Sequence, residues 1–558
     1  MAAIPVMHQW MAPRVAVLAA AALLLLSLLT AWAVPLFDPD EGYYPATAAE
    51  SVDAGRPWDL QFNGQPRWDK PVLAYALIQG AFALLGRSDG AARVPSAVEG
   101  AALVIAVGAL VTMLAGGSTG GLAALVLSTS AGVQIFSRAA HPEIALALSI
   151  GVSQFLLVCW LTRTDAGRPR GLPLLIGISM GYGVLAKGPV AVAVPAVGLA
   201  LAAPFVLDLR SRWVAALRDG LVAGAVAVAL AAPWYVAMAQ RHGVAFVENT
   251  LWTQNVSRYT GQLAVHVSMS PLYYVLPAIV TLLPWSVLLV PAAARVRRPS
   301  GADRRETVRF AIAMMAAGTF VFYSLSASKL ASYILGLTPS VAALIGMYLD
   351  DELSLGRTAS AAAYRATSLF LGAMALALIA VSVADGRIWS TRELTGGAPG
   401  SGAGAMLRSV AAPPAIALLA GSLLVLVLRG RRRVIALAVV GAAVPLVTVL
   451  AARPLAAAAY PWQRFAARMT HDRAPIWLDN YRAPSLTFYA GRPVDHLPAE
   501  GDYSGIVLAG EGWLIAPRGR TTREPLRSRL EAHRARIVDT AGTAVLVRLE
   551  PLPSDADP

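Results

Sequence analysis

The chain is 558 residues long, 56% hydrophobic and only 14% charged, with a mean hydropathy of +0.58. That balance excludes an ordinary soluble domain, in which roughly a quarter of the residues are charged. The net charge of +13 does not by itself require nucleic acid, since a membrane protein holding its basic residues in cytoplasmic loops reaches the same total.

A helix crosses the hydrocarbon core with about 20 apolar residues, roughly 17 to 25. Thirteen such stretches are legible, at 14–36, 91–115, 119–137, 143–162, 172–187, 189–207, 219–239, 272–293, 308–326, 331–349, 363–383, 411–428 and 434–453. The first ends in Ala31-Trp32-Ala33, which looks like a signal-peptidase site. Its apolar core exceeds the roughly 7–15 residues of a cleaved signal, so it is expected to stay as the first span. The polar segment 37–90 follows. Its apolar piece, 71–85, is short and flanked by charge, and reads as a helix lying in the interface.

Arginines collect in alternate loops: Arg163, Arg168 and Arg170; Arg210, Arg212 and Arg218; Arg295, Arg297, Arg298, Arg304, Arg305 and Arg309; Arg357 and Arg365; Arg429, Arg431, Arg432 and Arg433. Short cytoplasmic loops carry this excess, which puts the N-terminus inside and, after thirteen spans, the C-terminus outside. Segments 240–271 and the glycine-rich 395–405 are then outer loops. The lone Cys159 lies in an apolar run, so neither a disulfide framework nor a cysteine metal site is expected.

Beyond the last span the composition turns mixed. Residues 474–478, 505–509, 513–516 and 544–549 read as strands and 524–535 as an amphipathic helix. The expected fold class is an all-α polytopic membrane protein of about 13 spans with a small C-terminal α/β domain. The expected division is a membrane catalytic region at 1–455 and an outer-face domain at 456–558.

The outer segments hold the unusual polar clusters. Phe37-Asp38-Pro39-Asp40-Glu41-Gly42-Tyr43-Tyr44 places three carboxylates within four residues at a span exit. A solvated loop would also hold such a group. The same segment, however, continues to Arg67-Trp68-Asp69-Lys70-Pro71, where a lysine meets a carboxylate and an aromatic at the membrane surface. A lysine ammonium is a compact point charge suited to phosphate. The chain has three lysines, Lys70, Lys187 and Lys329, against 43 arginines, and all three fall in outer segments. His141-Pro142-Glu143, Glu248-Asn249, Asn255, Arg258-Tyr259 and His266 complete that face. His266 has no second histidine at metal-binding spacing. No P-loop, dinucleotide fingerprint or G-x-S-x-G is present, so nucleotide-driven chemistry and a nucleic-acid partner have no support.

Read in order, these segments resemble the GT-C membrane glycosyltransferases, and within them the protein-mannosyltransferase-like branch that includes the 4-amino-4-deoxy-L-arabinose (lipid A) transferases. Asp40-Glu41-Gly42-Tyr43-Tyr44 is similar to the family's first-loop Asp-Glu motif. Asn63-Gly64-Gln65-Pro66-Arg67-Trp68-Asp69-Lys70-Pro71 is similar to its Asn-Gly…Glu-Lys-Pro segment. Ala91-Ala92-Arg93-Val94-Pro95-Ser96, Gly183-Val184-Leu185-Ala186-Lys187-Gly188-Pro189, Pro233-Trp234-Tyr235 and Leu283-Pro284-Trp285-Ser286 continue the series. Ser324 to Ile334 and Ser485-Leu486-Thr487-Phe488-Tyr489 close it. Three positions depart from the family pattern: Asp69 stands where Glu is usual, Tyr43 where Arg is common and Glu143 where Asp often follows the proline.

The resemblance implies an enzyme of the bacterial inner membrane that takes a sugar from a polyprenyl-phosphate donor, undecaprenyl phosphate above all. Transfer would occur on the periplasmic side, to lipid A or another envelope glycan, by direct inverting displacement. It implies Lys70 as the phosphate ligand, with Arg93, Lys187, Arg258, Lys329, Tyr44 and Tyr333 as further binding residues. Asp40 is the first candidate base, with Glu41 and Glu143 as alternates. A divalent metal (zinc, magnesium or manganese) on Asp69 and His266 is a further candidate by resemblance; no other cofactor is implied. Protein is an alternative acceptor. A transporter or flippase for an anionic lipid would also gather cations at one face, but transporter sites lie near the midplane in repeated halves. No such repeat is legible. A membrane-anchored sensor would not need so much chemistry in its outer loops.

Overall fold

The computed structural model describes residues 7–163, 167–206, 209–262, 270–300, 303–354, 361–383, 403–469, 472–497, 511–524, 526–531 and 533–550. Each of the thirteen apolar stretches is largely helical among its described residues. In chain order come α1 (Met7–Ala31), α2 (Asp40–Asp53), α3 (Leu73–Leu85), α4 (Asp89–Ala115), α5 (Gly117–Ser128), α6 (Ala131–Phe136), α7 (Glu143–Thr162), α8 (Leu172–Lys187), α9 (Val190–Val206) and α10 (Leu209–Val247). Among the described residues nine helices are long and apolar enough to cross a membrane, and a tenth candidate is the pair Val275–Thr281 and Ser286–Ala293, bent by 116°.

Several boundaries differ from the sequence expectation, for physical reasons. The stretch 119–137 divides into α5 and α6 because the Thr129 and Ser130 hydroxyls bond back to the Leu125 and Val126 carbonyls, at 2.6 and 2.7 Å. Such bonds compete with the helical ladder. Segment 240–271 is not simply a loop: α10 runs on to Val247 and continues through a π-helix, Glu248–Ser257, and a turn at Arg258–Thr260. Arg241 and His242 are accommodated there by Asp59, at 3.0 and 2.7 Å. Segment 37–90 holds α2 and a small hairpin, β1 (Gln61–Phe62) with β2 (Gln65–Pro66), besides α3.

Lipid tails are as apolar as leucine, so helices associate in a bilayer through close packing and internal hydrogen bonds. Gly318, on the helix Arg304–Leu325, lies so near α9 that an added Cβ would stand 2.5 Å from the Gly198 Cα. Gln154 of α7 donates to Thr319 Oγ1 at 2.8 Å and accepts from Ser340 at 2.9 Å. At the bundle's arginine-rich end Arg305 bridges Asp350 and Asp351, at 2.8 and 2.9 Å, joining the start of one helix to the end of Thr338–Ser354. The opposite end carries α2, α3 and the tail.

The tail contains a five-stranded sheet in the order β4-β3-β5-β7-β6, from β3 (Ile476–Leu478), β4 (Asp495–His496), β5 (Gly512–Pro517), β6 (Arg534–Ala541) and β7 (Ala544–Glu550). β3 pairs parallel with β4 and β5, whereas β7 pairs antiparallel with β5 and β6. The strands expected at 474–478, 513–516 and 544–549 correspond to β3, β5 and β7; that at 505–509 lies outside the described residues, as does most of 395–405. The helix expected at 524–535 covers only Leu526–Glu531, because Arg534 and Ala535 already pair with β7.

Candidate active site

Four chain segments meet at the α2 end of the bundle around a cavity of about 310 Å³. Lys70 reaches it from the segment before α3, Lys187 from the last residue of α8, Arg258 from the turn after the π-helix, and Tyr323 and Tyr333 from the two helices flanking Ser326–Leu330. Val190, Ala193, Val256 and Phe322 form its apolar wall. Three basic side chains and an apolar wall together suit an amphiphile with an anionic head.

The cations are not equivalent. Lys187 is paired with Glu143 at the start of α7, and its ammonium lies 4.3 Å from the centre of the Tyr333 ring, a cation–π distance. Ser332 donates to the same Glu143 oxygen at 2.9 Å, so that carboxylate is neutralised and fixed. Lys70 donates to the Asp69 carbonyl at 2.9 Å. Burial, with Arg258 and Lys187 close by, pushes its ammonium down to about 7. Tyr323 Oη, Arg258 Nε and Gln254 Oε1 are buried without a hydrogen-bond partner among the described residues, and all three side chains line the cavity. Buried polar atoms are normally satisfied, so these unmet groups mark where a ligand's polar atoms belong.

Glu41 and Arg93 serve a different purpose. Arg93 Nε and Nη2 donate to the two Glu41 oxygens at 2.7 and 2.8 Å, and its remaining N–H groups reach the Ala31, Val34 and Pro35 carbonyls at 2.7 to 2.9 Å. Glu41 also accepts from the Phe37 and Ala140 amides, both at 2.9 Å. Burial alone would raise the Glu41 carboxyl, yet Arg93 and these amides hold it below the ordinary glutamate value. Neither residue lines the cavity; the pair clamps α1, α2 and α4 together. Glu41→Gln is expected to cost about 1–3 kcal/mol by leaving Arg93 incompletely satisfied. Thermal unfolding in detergent checks this.

Asp40 is exposed at the first position of α2. Its charge acts on His141, Lys187 and Tyr333. Tyr44 is buried against Tyr75 and His141, with ring centres 5.3 and 5.0 Å apart, and packs beside the site rather than into it. Lys329 is buried and its ammonium bonds to the Ser326 carbonyl; Ser326 and Ser328 line the cavity, but Lys329 does not. Asp69 pairs with Arg67 at 2.8 Å. His266 lies outside the described residues, and among those described no group of three metal-ligating side chains assembles. The Asp69 carboxylate is already engaged by Arg67, which makes it a poor metal ligand. Sequence reasoning singled out neither Tyr323, which sits in an apolar run whose pattern signals only a span, nor Ser332, which falls in the Ser324–Ile334 motif without a role of its own.

The family model for dolichyl-phosphate-mannose-protein mannosyltransferase matches residues 69–236. The undecaprenyl phosphate-alpha-4-amino-4-deoxy-L-arabinose arabinosyl transferase of Pseudomonas aeruginosa (strain UCBPP-PA14) is 29% identical over 350 residues, 62% of this chain and 61% of that protein. Its counterpart in Pseudomonas paraeruginosa is 30% identical over 353 residues, again 62% and 61%. The aligned region thus spans about three-fifths of these relatives, 61% of their length. A crystal structure of ArnT from Cupriavidus metallidurans bound to undecaprenyl phosphate superposes with a TM-score of 0.75 at 18% identity, covering 97% of this chain and 99% of that one. The chain has that fold, the GT-C fold, and is a multi-pass membrane protein. The resemblance read from the ordered motifs is borne out.

Proposed function

We propose that this protein is an inner-membrane glycosyltransferase that moves a sugar from a polyprenyl-phosphate carrier to an acceptor on the periplasmic side. The observation that carries this reading is the cavity shared by Lys70, Lys187 and Arg258, with an apolar wall on one side and unmet polar atoms within. An isoprenoid tail suits the wall, and a phosphate suits the cations.

Breaking the bond between the sugar's anomeric carbon and the phosphate oxygen sends an electron pair to the lipid phosphate. Fixed cations lower the barrier when they match charge that develops there. Lys70 and Arg258 take this role, because Lys187 is already balanced by Glu143. An acceptor hydroxyl attacks the anomeric carbon from the opposite face and gives its proton to Asp40, which inverts the configuration. A phosphate acceptor, as on lipid A, is already anionic and would need Asp40 only for placement.

The relatives act on aminoarabinose carried by undecaprenyl phosphate, so that donor is the first to try, with lipid A as acceptor. Purified protein in detergent, given the donor with a labelled sugar, should pass label to lipid A. The mannosyltransferase family match motivates a parallel arm with a peptide acceptor. Consumption of donor in neither arm, with donor lipid merely bound, would favour a lipid transporter instead.

A further inference from the structure

α2 begins without a local cap. Its N-cap position is Pro39, which has no side chain able to accept from the first-turn amides. The placing of this helix start therefore rests on tertiary contacts. On one side the Arg93–Glu41 clamp supplies one. On the other the anchor comes from the far end of the sequence.

The short helix Pro484–Ala490 approaches the first polar segment residue by residue. The Ser485 amide donates to Asp38 Oδ1 at 2.9 Å, and its hydroxyl donates to Asp38 Oδ2. The Thr487 hydroxyl donates to Asn63 Oδ1 at 3.2 Å, while Asn63 Nδ2 donates to the Val494 carbonyl at 2.9 Å. Phe488 stacks on Phe82 of α3 with ring centres 5.6 Å apart, and Tyr489 Oη accepts from the Leu36 amide at 3.1 Å. Ser485 is fully buried. The fit leaves no slack at Gly42, where an added Cβ would lie 2.6 Å from the Ser485 nitrogen and 2.2 Å from Asp38 Oδ1.

We infer that the tail is part of the reaction machinery at one remove: Ser485, through Asp38, is a positioning residue that sets where Asp40 stands. Asp40 lies between the two anchors, two residues after Asp38 and next to Glu41, and is itself exposed. None of Ser485, Thr487, Phe488 or Tyr489 lines the cavity that would hold the donor head. Loss of the anchor should therefore shift the base relative to the acceptor and leave donor binding alone. A displacement of about 1 Å at a reacting group costs up to about 100-fold in rate. This inference rests on the reading of Asp40 as base.

The test is the kinetics of Ser485→Ala with labelled polyprenyl-phosphate sugar, beside Ser485→Thr and Gly42→Ala, each with thermal unfolding in detergent. The expected result is a fall in kcat of about 10- to 100-fold in Ser485→Ala with donor KM unchanged, largely restored in Ser485→Thr, which keeps the hydroxyl. Gly42→Ala should lower kcat likewise by wedging α2 off the tail. In an Asp40→Asn background Ser485→Ala should lower kcat no further. Normal kcat per folded Ser485→Ala molecule overturns the inference, whether or not stability falls, and so does a raised donor KM with kcat intact. If Asp40→Asn turns over normally, the base assignment fails and this inference falls with it. If Asp40→Asn is inactive while Ser485→Ala is normal, only the inference falls.

Discussion

Lys70→Ala is expected to lower transfer by about 10²–10³-fold, the usual cost of removing one preorganised donor from a site of developing negative charge. Among the described residues Lys70 and Arg258 have no carboxylate of their own in the cavity, whereas Lys187 is balanced by Glu143. The loss should appear in kcat as well as in donor binding, since the leaving phosphate gains charge as the bond breaks. The pH dependence separates Lys70 from its neighbours. Burial beside two other cations brings its ammonium to about 7 in the free protein. A polyprenyl-phosphate sugar is a phosphodiester with one negative charge throughout the neutral range, so the donor adds no titration. Below pH 7 Lys70 is charged and ready; above it, binding must first take up a proton. Donor KM should therefore rise with pH above about 7, by up to about tenfold per pH unit. Lys70→Arg, whose guanidinium keeps its charge, should flatten that rise even if the wider fork costs some rate. Titrating labelled donor against pH in both proteins checks this, and undiminished turnover by Lys70→Ala would remove the phosphate role.

The sequence made the bundle and its reactive rim readable because both rest on one-dimensional signals. Apolar length alone forces a helix in lipid, where no backbone group can stay unpaired. Hence each stretch from 14–36 to 434–453 is largely helical among its described residues, even where Thr129 and Ser130 split one of them or a sharp bend breaks 272–293. Lys70 and Lys187 could be picked out because lysine is rare in this chain and both fall in outer segments; Arg258 stands out only by its place in the outer segment 240–271 and by the resemblance. What sequence could not show is which charges are already answered. Glu41, Asp40 and Glu143 read alike along the chain, yet Glu41 belongs to Arg93 and Glu143 to Lys187. Those partners lie 52 and 44 residues away. Lys329, grouped with the other lysines by rarity, turns its ammonium to the Ser326 carbonyl instead.

Two elements were hidden for a related reason. α2 contains Gly42 and Pro45, both poor helix formers, and no clean apolar period; it forms because Tyr44, Ala46, Ala48 and Ala49 are buried against neighbouring segments. β6 follows an Arg527–Glu531 pair that is helical in spacing and is indeed formed at 2.8 Å. Only the hydrogen bonds offered by β7 make Arg534–Ala541 a strand. Tertiary partners overrode local preference in both cases, and α2 is the element that presents Asp40.

Asp40→Asn should lower kcat by about 10²–10⁴-fold, the range for a lost general base, with donor affinity unchanged. Asparagine keeps the size of the side chain and removes only its ability to take a proton. The alternatives are poorly placed to substitute: each Glu41 oxygen accepts from Arg93 and a backbone amide, and Glu143 is bound by Lys187 and Ser332. Asp40 stands exposed at the head of α2, with its charge felt at His141 and Lys187 on the cavity side. The size of the loss should depend on the acceptor. A hydroxyl must surrender its proton as the new bond forms, so the full loss is expected there. An acceptor phosphate is deprotonated beforehand, and the same substitution should then cost far less. Comparing kcat of wild type and Asp40→Asn with lipid A, with its dephosphorylated form and with a hydroxyl-bearing peptide therefore tests the residue and the acceptor chemistry together. Equal, undiminished rates with every acceptor would exclude Asp40 as the base.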